Sequence, residues 1–345
     1  MLTVYSDEHA LQDGRAELVD GKLVPCFEMP RRAYMIRDRI LETGLGEIVG
    51  PETFGRAALE RVHSADFVEF LSRAWADWAA TGRDFDALPW TWPTRNLRRI
   101  KPERIDGRLG YYSFDAGTPI TAGTWRAAEA SANVALTAAR LIADGSRSAV
   151  FALCRPPGHH AAADLYGGYC FLNNAAIAAQ YLIDGGAERI AILDVDYHHG
   201  NGTQAIFEAV PQVLYVSTHQ YPLYPGTGHA EETGVAANVL NVPLRAGSGG
   251  EALRRAWNEE ILPALRRHEP GLLLVSAGFD AHRDDPLAEL AFTEADYQWL
   301  AAQLAAFAAE CCGGRLVSVL EGGYELSALA SSCAAHVRAL MAAGG

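Results

Sequence analysis

Short apolar runs alternate along this chain with longer stretches of helical spacing. Five runs rich in β-forming residues, 148–154, 189–194, 212–218, 271–276 and 315–320, read as buried strands. Between them, 124–144, 174–184, 251–268 and 293–310 are rich in Ala and place apolar residues at helical intervals. Strand–helix alternation of this kind predicts right-handed crossovers and an α/β fold: an open, mostly parallel β-sheet with helices on both faces. No repeat of solenoid period and no Pro/Gly/Ser-rich linker divides the chain, so 1–345 reads as one domain. The pattern lapses over 81–117, where Trp90, Trp92, Pro93, Arg98, Arg99 and Lys101 follow no clear period. Such an inserted loop serves as a dimer contact, as a wall over a site, or as a plain surface excursion.

Polarity at the ends of the apolar runs carries the next inference. The run from Ile190 ends in Asp194, Asp196, His198 and His199. Side chains alternate across a strand, so Asp194, Asp196 and His198 are expected on one face if the extended run continues. Ligands sit at the carboxyl ends of strands in parallel α/β sheets. Asp and His together suit a borderline cation, zinc first; a solvated strand end is the plainer alternative. Arg155-Pro-Pro-Gly-His159-His160 follows the first run, and its stiff backbone suits an acid/base pair, although paired histidines also occur on surfaces by chance. Ser217 and His219 are placed at the end of the third strand. Asp280, Asp284 and Asp285 follow the fourth, and Glu321-Gly322-Gly323-Tyr324 the fifth. Two Asp and one His make a three-ligand site with a position open for water or substrate. Nucleotide loops and a GxSxG elbow are absent from the sequence.

Composition narrows the partners. Asp and Glu outnumber Lys and Arg by 42 to 29, a net charge of −13. That balance argues against nucleic acid or an anionic membrane and favours cationic substrates. The N-terminal residues lack a secretory pattern, and no apolar run approaches the roughly 18 residues of a membrane span. Six cysteines without CxxC spacing fit reduced thiols, so a cytoplasmic protein is expected.

Taken in order, Arg155–His160, Gly167-Gly168-Tyr-Cys-Phe-Leu-Asn-Asn174, Asp194–Gly202, Tyr224-Pro-Gly-Thr-Gly228, Asp284-Asp285-Pro286 and Glu321–Tyr324 resemble the zinc-dependent histone-deacetylase-like amidohydrolases of the arginase/deacetylase superfamily. The N-terminal part, including Glu17, Leu23–Glu28 and Ile105–Tyr112, is similar to bacterial acetylpolyamine amidohydrolases. The resemblance implies the arginase/deacetylase fold and one catalytic Zn2+ held by Asp196, His198 and Asp285. It implies His160 as general base, His159 as its electrostatic partner, Asp194 and Asn201 orienting these imidazoles, and Tyr324 as oxyanion donor. Gly168, Tyr169 and Tyr224 would wall a narrow channel. Structural K+ would lie near Asp194, Asp196, His198, Ser217 and Thr218, with a weaker second site near Phe207, Val210 and Val213. A homodimer through the 90–101 loop is also implied.

The substrate divides the resemblance. Glu17 and Asp106 resemble acidic groups that polyamine deacetylases place at the mouth to meet a protonated amine. Gly117 and Leu287 stand where some of those enzymes carry acidic residues, and the stretch Gln220–Gly228 looks more like histone-deacetylase relatives. Asp115 resembles the rim carboxylate that accepts peptide N–H groups in acetyl-lysine deacetylases, and could equally cap a turn. Small acetylated polyamines are the favoured substrate, with acetyl-lysine protein or peptide as the alternative. A ureohydrolase of the same fold would need a second metal and would leave Tyr324 without a task.

Overall fold

The computed structural model describes residues 1–19, 21–94 and 97–342. Its frame is a sheet of eight parallel strands: β1 (Leu2–Val4), β4 (Ile48–Val49), β5 (Ala149–Ala152), β6 (Ile190–Asp194), β7 (Val213–Gln220), β8 (Val239–Leu244), β9 (Leu273–Ala277) and β10 (Leu316–Leu320). In space they run β4-β1-β5-β10-β9-β6-β7-β8. Two further strands, β2 (Glu17–Val19) and β3 (Lys22–Val24), pair antiparallel with each other and stand apart from the main sheet.

The central strands are buried along their whole length because each carries apolar residues to both faces. Ala191 and Leu193 join a core packed under the helices Arg31–Glu42, Glu294–Cys311 and Leu326–Ala342. Ile190 and Ile192 point the other way, into a core under Thr124–Ala143 and Asn174–Asp184. Each fully buried Ile or Leu contributes roughly 1.5–3 kcal/mol, so a shift in register of one residue is strongly disfavoured. The register in turn aligns the strand ends. Asp194 faces Ser276 of β9 and Ser217 of β7, and Val319 of β10 faces Ala152 of β5. The loops after β5, β10, β9 and β6 therefore leave the sheet side by side, at one edge.

Several expectations need correction. The extended run stops at Asp194, so Asp196 and His198 reach the site from a loop and not from one strand face. Asp194 Oδ1 accepts the Asp196 N–H at 3.2 Å, and Asp196 Oδ1 accepts the His198 N–H at 2.9 Å. These consecutive Asx turns draw the backbone out of the ladder. Ser217 and His219 lie inside β7, which continues to Gln220. The 251–268 helix is interrupted by a π turn at Trp257–Ile261. Within 81–117, which includes the undescribed Arg95 and Asn96, the structure shows a helix at Ile105–Tyr111 and a bridge from Ala87 to Ile120. Among the described residues no helix is long and apolar enough to cross a membrane.

Candidate active site

The aligned strand ends surround a cavity of ≈ 450 Å³, lined among others by His160, Gly168, Tyr169, His198, Tyr224 and Tyr324. The loop after β5 brings in the two histidines with their ring centres 4.0 Å apart. His159 Nδ1 lies 3.0 Å from Asp194 Oδ2, and its Nε2 lies 3.7 Å from Asp196 Oδ1. His160 Nδ1 instead faces the Asn201 amide oxygen at 2.7 Å. An acceptor at Nδ1 leaves the proton there and the lone pair at Nε2. Burial opposes charge on both rings. At His159 the two carboxylates outweigh burial and hold the pKa well above the ordinary value. At His160 burial, with the charges of His159 and His198, holds it well below.

Glu321 anchors this loop from the end of β10. Its Oε2 accepts the N–H groups of Gly158 and His159 at 2.7 and 3.1 Å, and its Oε1 accepts from Ser276 at 3.0 Å. Burial pushes the Glu321 carboxyl up to about 7. Gly168 approaches from the other side with φ +56, and a side chain there would overlap the His160 ring. Only glycine combines that conformation with that approach.

A second cluster lies deeper. Asp196, His198 and Asp280 offer ligand atoms within 4.8 Å of one another. His198 Nδ1 is 3.1 Å from Asp280 Oδ2 and 3.4 Å from Asp196 Oδ1. Burial lowers the His198 pKa, but these carboxylates raise it to about 9. Asp280 is pushed up to about 7, by burial first and then by the charge of Asp196. Asp285 stands outside that 4.8 Å group, although its charge also reaches Asp280. Its Oδ2 accepts the N–H groups of Tyr324 and Glu325 at 2.7 and 3.2 Å, and its Oδ1 that of Leu287 at 3.0 Å. Several buried carboxylates around one imidazole carry more negative charge than the local hydrogen bonds relieve. A cation fits that donor set.

Tyr324 lies across the cavity, its ring 5.6 Å from Tyr169 and beneath the Arg32 guanidinium at 4.8 Å. Burial holds its phenol well above the ordinary pKa, so the hydroxyl keeps its proton. Arg32 donates to the carbonyls of Gly323 and Glu321 at 2.5 and 2.6 Å and to Glu28 at 2.9 Å. Sequence reasoning gave no role to Arg32, Glu28, Asp280 or Glu321. For the last two a signal existed, since Glu321 directly follows a buried strand and Asp280 lies three residues past the end of another.

The residues expected to select substrate are scattered. Asp115, Leu287 and Tyr224 line the cavity. Asp115 accepts from Gly168 N and Tyr224 Oη at 2.6 and 2.8 Å and from Gly117 N at 3.2 Å, the turn-capping alternative. Asp106 does not line it; it pairs with Arg83 at 2.5 Å and Arg104 at 3.5 Å on the inserted segment. Glu17 does not line it either and is fully buried behind Tyr169. Ser217 Oγ bonds His219 at 2.8 Å, while Thr218 Oγ1 is buried without a partner. The carbonyls of Phe207, Val210 and Val213, expected around a second K+, all accept from Asn238 Nδ2 at 2.9, 3.2 and 3.1 Å.

Comparison with known proteins decides the class, because residues 26–340 match the histone deacetylase domain. The chain belongs to the histone deacetylase family. It is 50% identical over 333 residues to acetylpolyamine amidohydrolase 2 of Pseudomonas aeruginosa, covering 94% of each chain. It is 41% identical to the acetylpolyamine amidohydrolase of Mycoplana ramosa, over 94% of this chain and 95% of that one. The structure of acetylpolyamine aminohydrolase from Burkholderia pseudomallei superposes with a TM-score of 0.92 at 34% identity, covering 100% of both chains. As a deacetylase-family hydrolase the protein is metal-dependent, and the buried carboxylate–imidazole cluster is a candidate donor set for that metal.

Proposed function

We propose that this deacetylase hydrolyses the acetyl amide of acetylated polyamines, releasing the free amine and acetate. The observation that carries the reading is identity with acetylpolyamine amidohydrolases along nearly the whole length of both chains. The cavity agrees with it. Leu18, Val19, Asp115 and Gly117 line it together with Tyr169 and Tyr224, and this mainly apolar and aromatic wall suits an alkyl amine.

Asp196, His198 and Asp285 would hold Zn2+, with Asp280 steadying His198 from beside it. When bound, zinc supplies a Lewis acid that polarises the acetyl carbonyl and brings the pKa of a water to ~7. The protein supplies the rest. His160 turns its basic Nε2 to the cavity and takes the proton of the attacking water. His159, clamped between Asp194 and Asp196, keeps a positive charge beside that transfer. The pair returns a proton to the leaving amine. Tyr324 donates its hydroxyl to the oxyanion that develops on the former carbonyl oxygen. Asp194, Ser217 and Thr218 would bind a structural K+ with the backbone of Asp196 and His198, which accords with the unpartnered Thr218 hydroxyl.

The deciding experiment compares kcat/KM on acetylputrescine and on an acetyl-lysine peptide. A preference of at least about a hundredfold for the free amine is expected, about 2.7 kcal/mol of transition-state discrimination. A preference for the peptide would overturn the polyamine reading. The exposed Trp90, Leu97 and Ile100 of the inserted loop support a homodimer through that surface. Sedimentation is expected to show a dimer for the full chain and a monomer when the 90–101 loop is shortened.

A further inference from the structure

Glu17 was expected at the channel mouth, yet none of its surface is exposed. It begins β2, and the next two residues of that strand, Leu18 and Val19, line the cavity that Glu17 does not reach. Its Oε1 accepts the Tyr169 hydroxyl at 3.0 Å, and its Oε2 is buried without a hydrogen-bond partner. With Gln12, Glu28, Thr118 and Tyr169 it encloses a chamber of ≈ 10 Å³ behind the wall, room for about one water and too small for a substrate ammonium with its chain. Burial pushes the Glu17 carboxyl up to about 7, as suits a group removed from solvent.

Tyr169 is the residue that needs an anchor. It is a non-glycine residue with φ +65, a conformation that persists only where the surroundings hold it. Its N–H donates to Thr118 Oγ1 at 2.9 Å, and its ring meets Tyr324 edge-on at 5.6 Å. Of the hydrogen bonds found for this side chain, the one to Glu17 fixes the far end of the ring.

We propose that Glu17 is a positioning residue that acts through Tyr169: its carboxylate pins the phenol so that the ring forms the channel wall against Tyr324, and it does not pair with the substrate's ammonium. The proposal rests on the deacetylase reading and replaces the direct role expected from sequence.

The test measures kcat/KM on acetylputrescine and on N-butylacetamide, an uncharged amide of similar length. The variants are Glu17→Gln, Glu17→Leu, Tyr169→Phe and the Leu/Phe double variant. Glu17→Leu and Tyr169→Phe are each expected to lower both substrates equally, by about tenfold, the order of one hydrogen bond to an ionisable group. Glu17→Gln should fall much less, since a carboxamide oxygen still accepts from the phenol. Adding Glu17→Leu to Tyr169→Phe should cause no further loss, because the bond is already gone. A loss confined to acetylputrescine in Glu17→Gln, or a full additional loss in the double variant, overturns the proposal. If Glu17→Leu does not fold, Tyr169→Phe decides alone, and unchanged kinetics in it count against the anchor. Wild-type inactivity toward both amides would sink the small-amide substrate reading instead. Crystal structures then decide the anchor: Tyr169 should leave its position in Glu17→Leu and keep it in Glu17→Gln, and an undisturbed phenol in the leucine variant overturns the proposal.

Discussion

His159 and His160 are neighbours of identical chemistry with different partners, and their pKa values are driven in opposite directions. Two carboxylates keep His159 charged against burial, while burial and the charges of His159 and His198 keep His160 neutral, and the amide oxygen at Nδ1 leaves its lone pair at Nε2. On the proposed mechanism, His160→Ala removes the base and Tyr324→Phe the oxyanion donor. Each is expected to lower kcat by about 10²–10³ or more while zinc content, read by elemental analysis, stays near one per chain. Near-full turnover in metal-replete Tyr324→Phe would assign the donor elsewhere. Motif reading brought both residues to the cavity because they adjoin strand ends in sequence. It misplaced Glu17 because whether a carboxylate faces a channel or the chamber behind it depends on how a separate hairpin docks.

At the scale of elements, His63 ties the start of the helix Ala65–Ala79 to the site loops. Its Nδ1 donates to the Ala162 carbonyl at 2.9 Å, and its Nε2 accepts the Asn173 N–H at 2.9 Å. Burial lowers its pKa to about 4, so the folded protein keeps it neutral while the unfolded chain protonates near 6.5. The unfolded state therefore binds the extra proton in that window. Stability is full above pH 6.5 and falls as the pH drops toward 4. Buried His336, also lowered to about 4 by burial, adds to the same slope. Thermal melts are expected to shift down between pH 6.5 and 4, and less steeply in His63→Gln relative to its own value at pH 7.5. An identical pH slope in the variant would remove His63 from the account. The five central strands were legible because apolar runs buried on both faces have no other reading. Strands β1 and β4 escaped notice at three and two residues. β8 carries Pro243, which fits the sheet edge it occupies but weakens its signal in sequence.

For the whole molecule, the site is the meeting point of chain segments far apart in sequence, held together by the register of one sheet. Asp196, Asp280 and Asp285 crowd buried negative charge into that meeting point, so a bound cation stabilises the native state by mass action. Removing metal with a chelator is expected to lower Tm, and adding back zinc to restore it with a concentration dependence of RT ln(1 + [L]/Kd). A melting temperature indifferent to chelation and zinc would place the metal elsewhere. The fold class was legible because strand–helix alternation admits few topologies. The partnerships of Asp280 and Glu321 were not, because they arise only when β9 and β10 lie side by side. The hairpin of β2 and β3 has a different standing from everything else around the cavity. It is three residues per strand, pairs only with itself, and contributes wall residues without resting on the sheet that holds the histidines and carboxylates. The wall therefore has a foundation partly apart from the sheet: changing Leu18 or Val19, the hairpin residues that line the cavity, alters the wall while the Glu17 anchor and the register of the sheet stay in place.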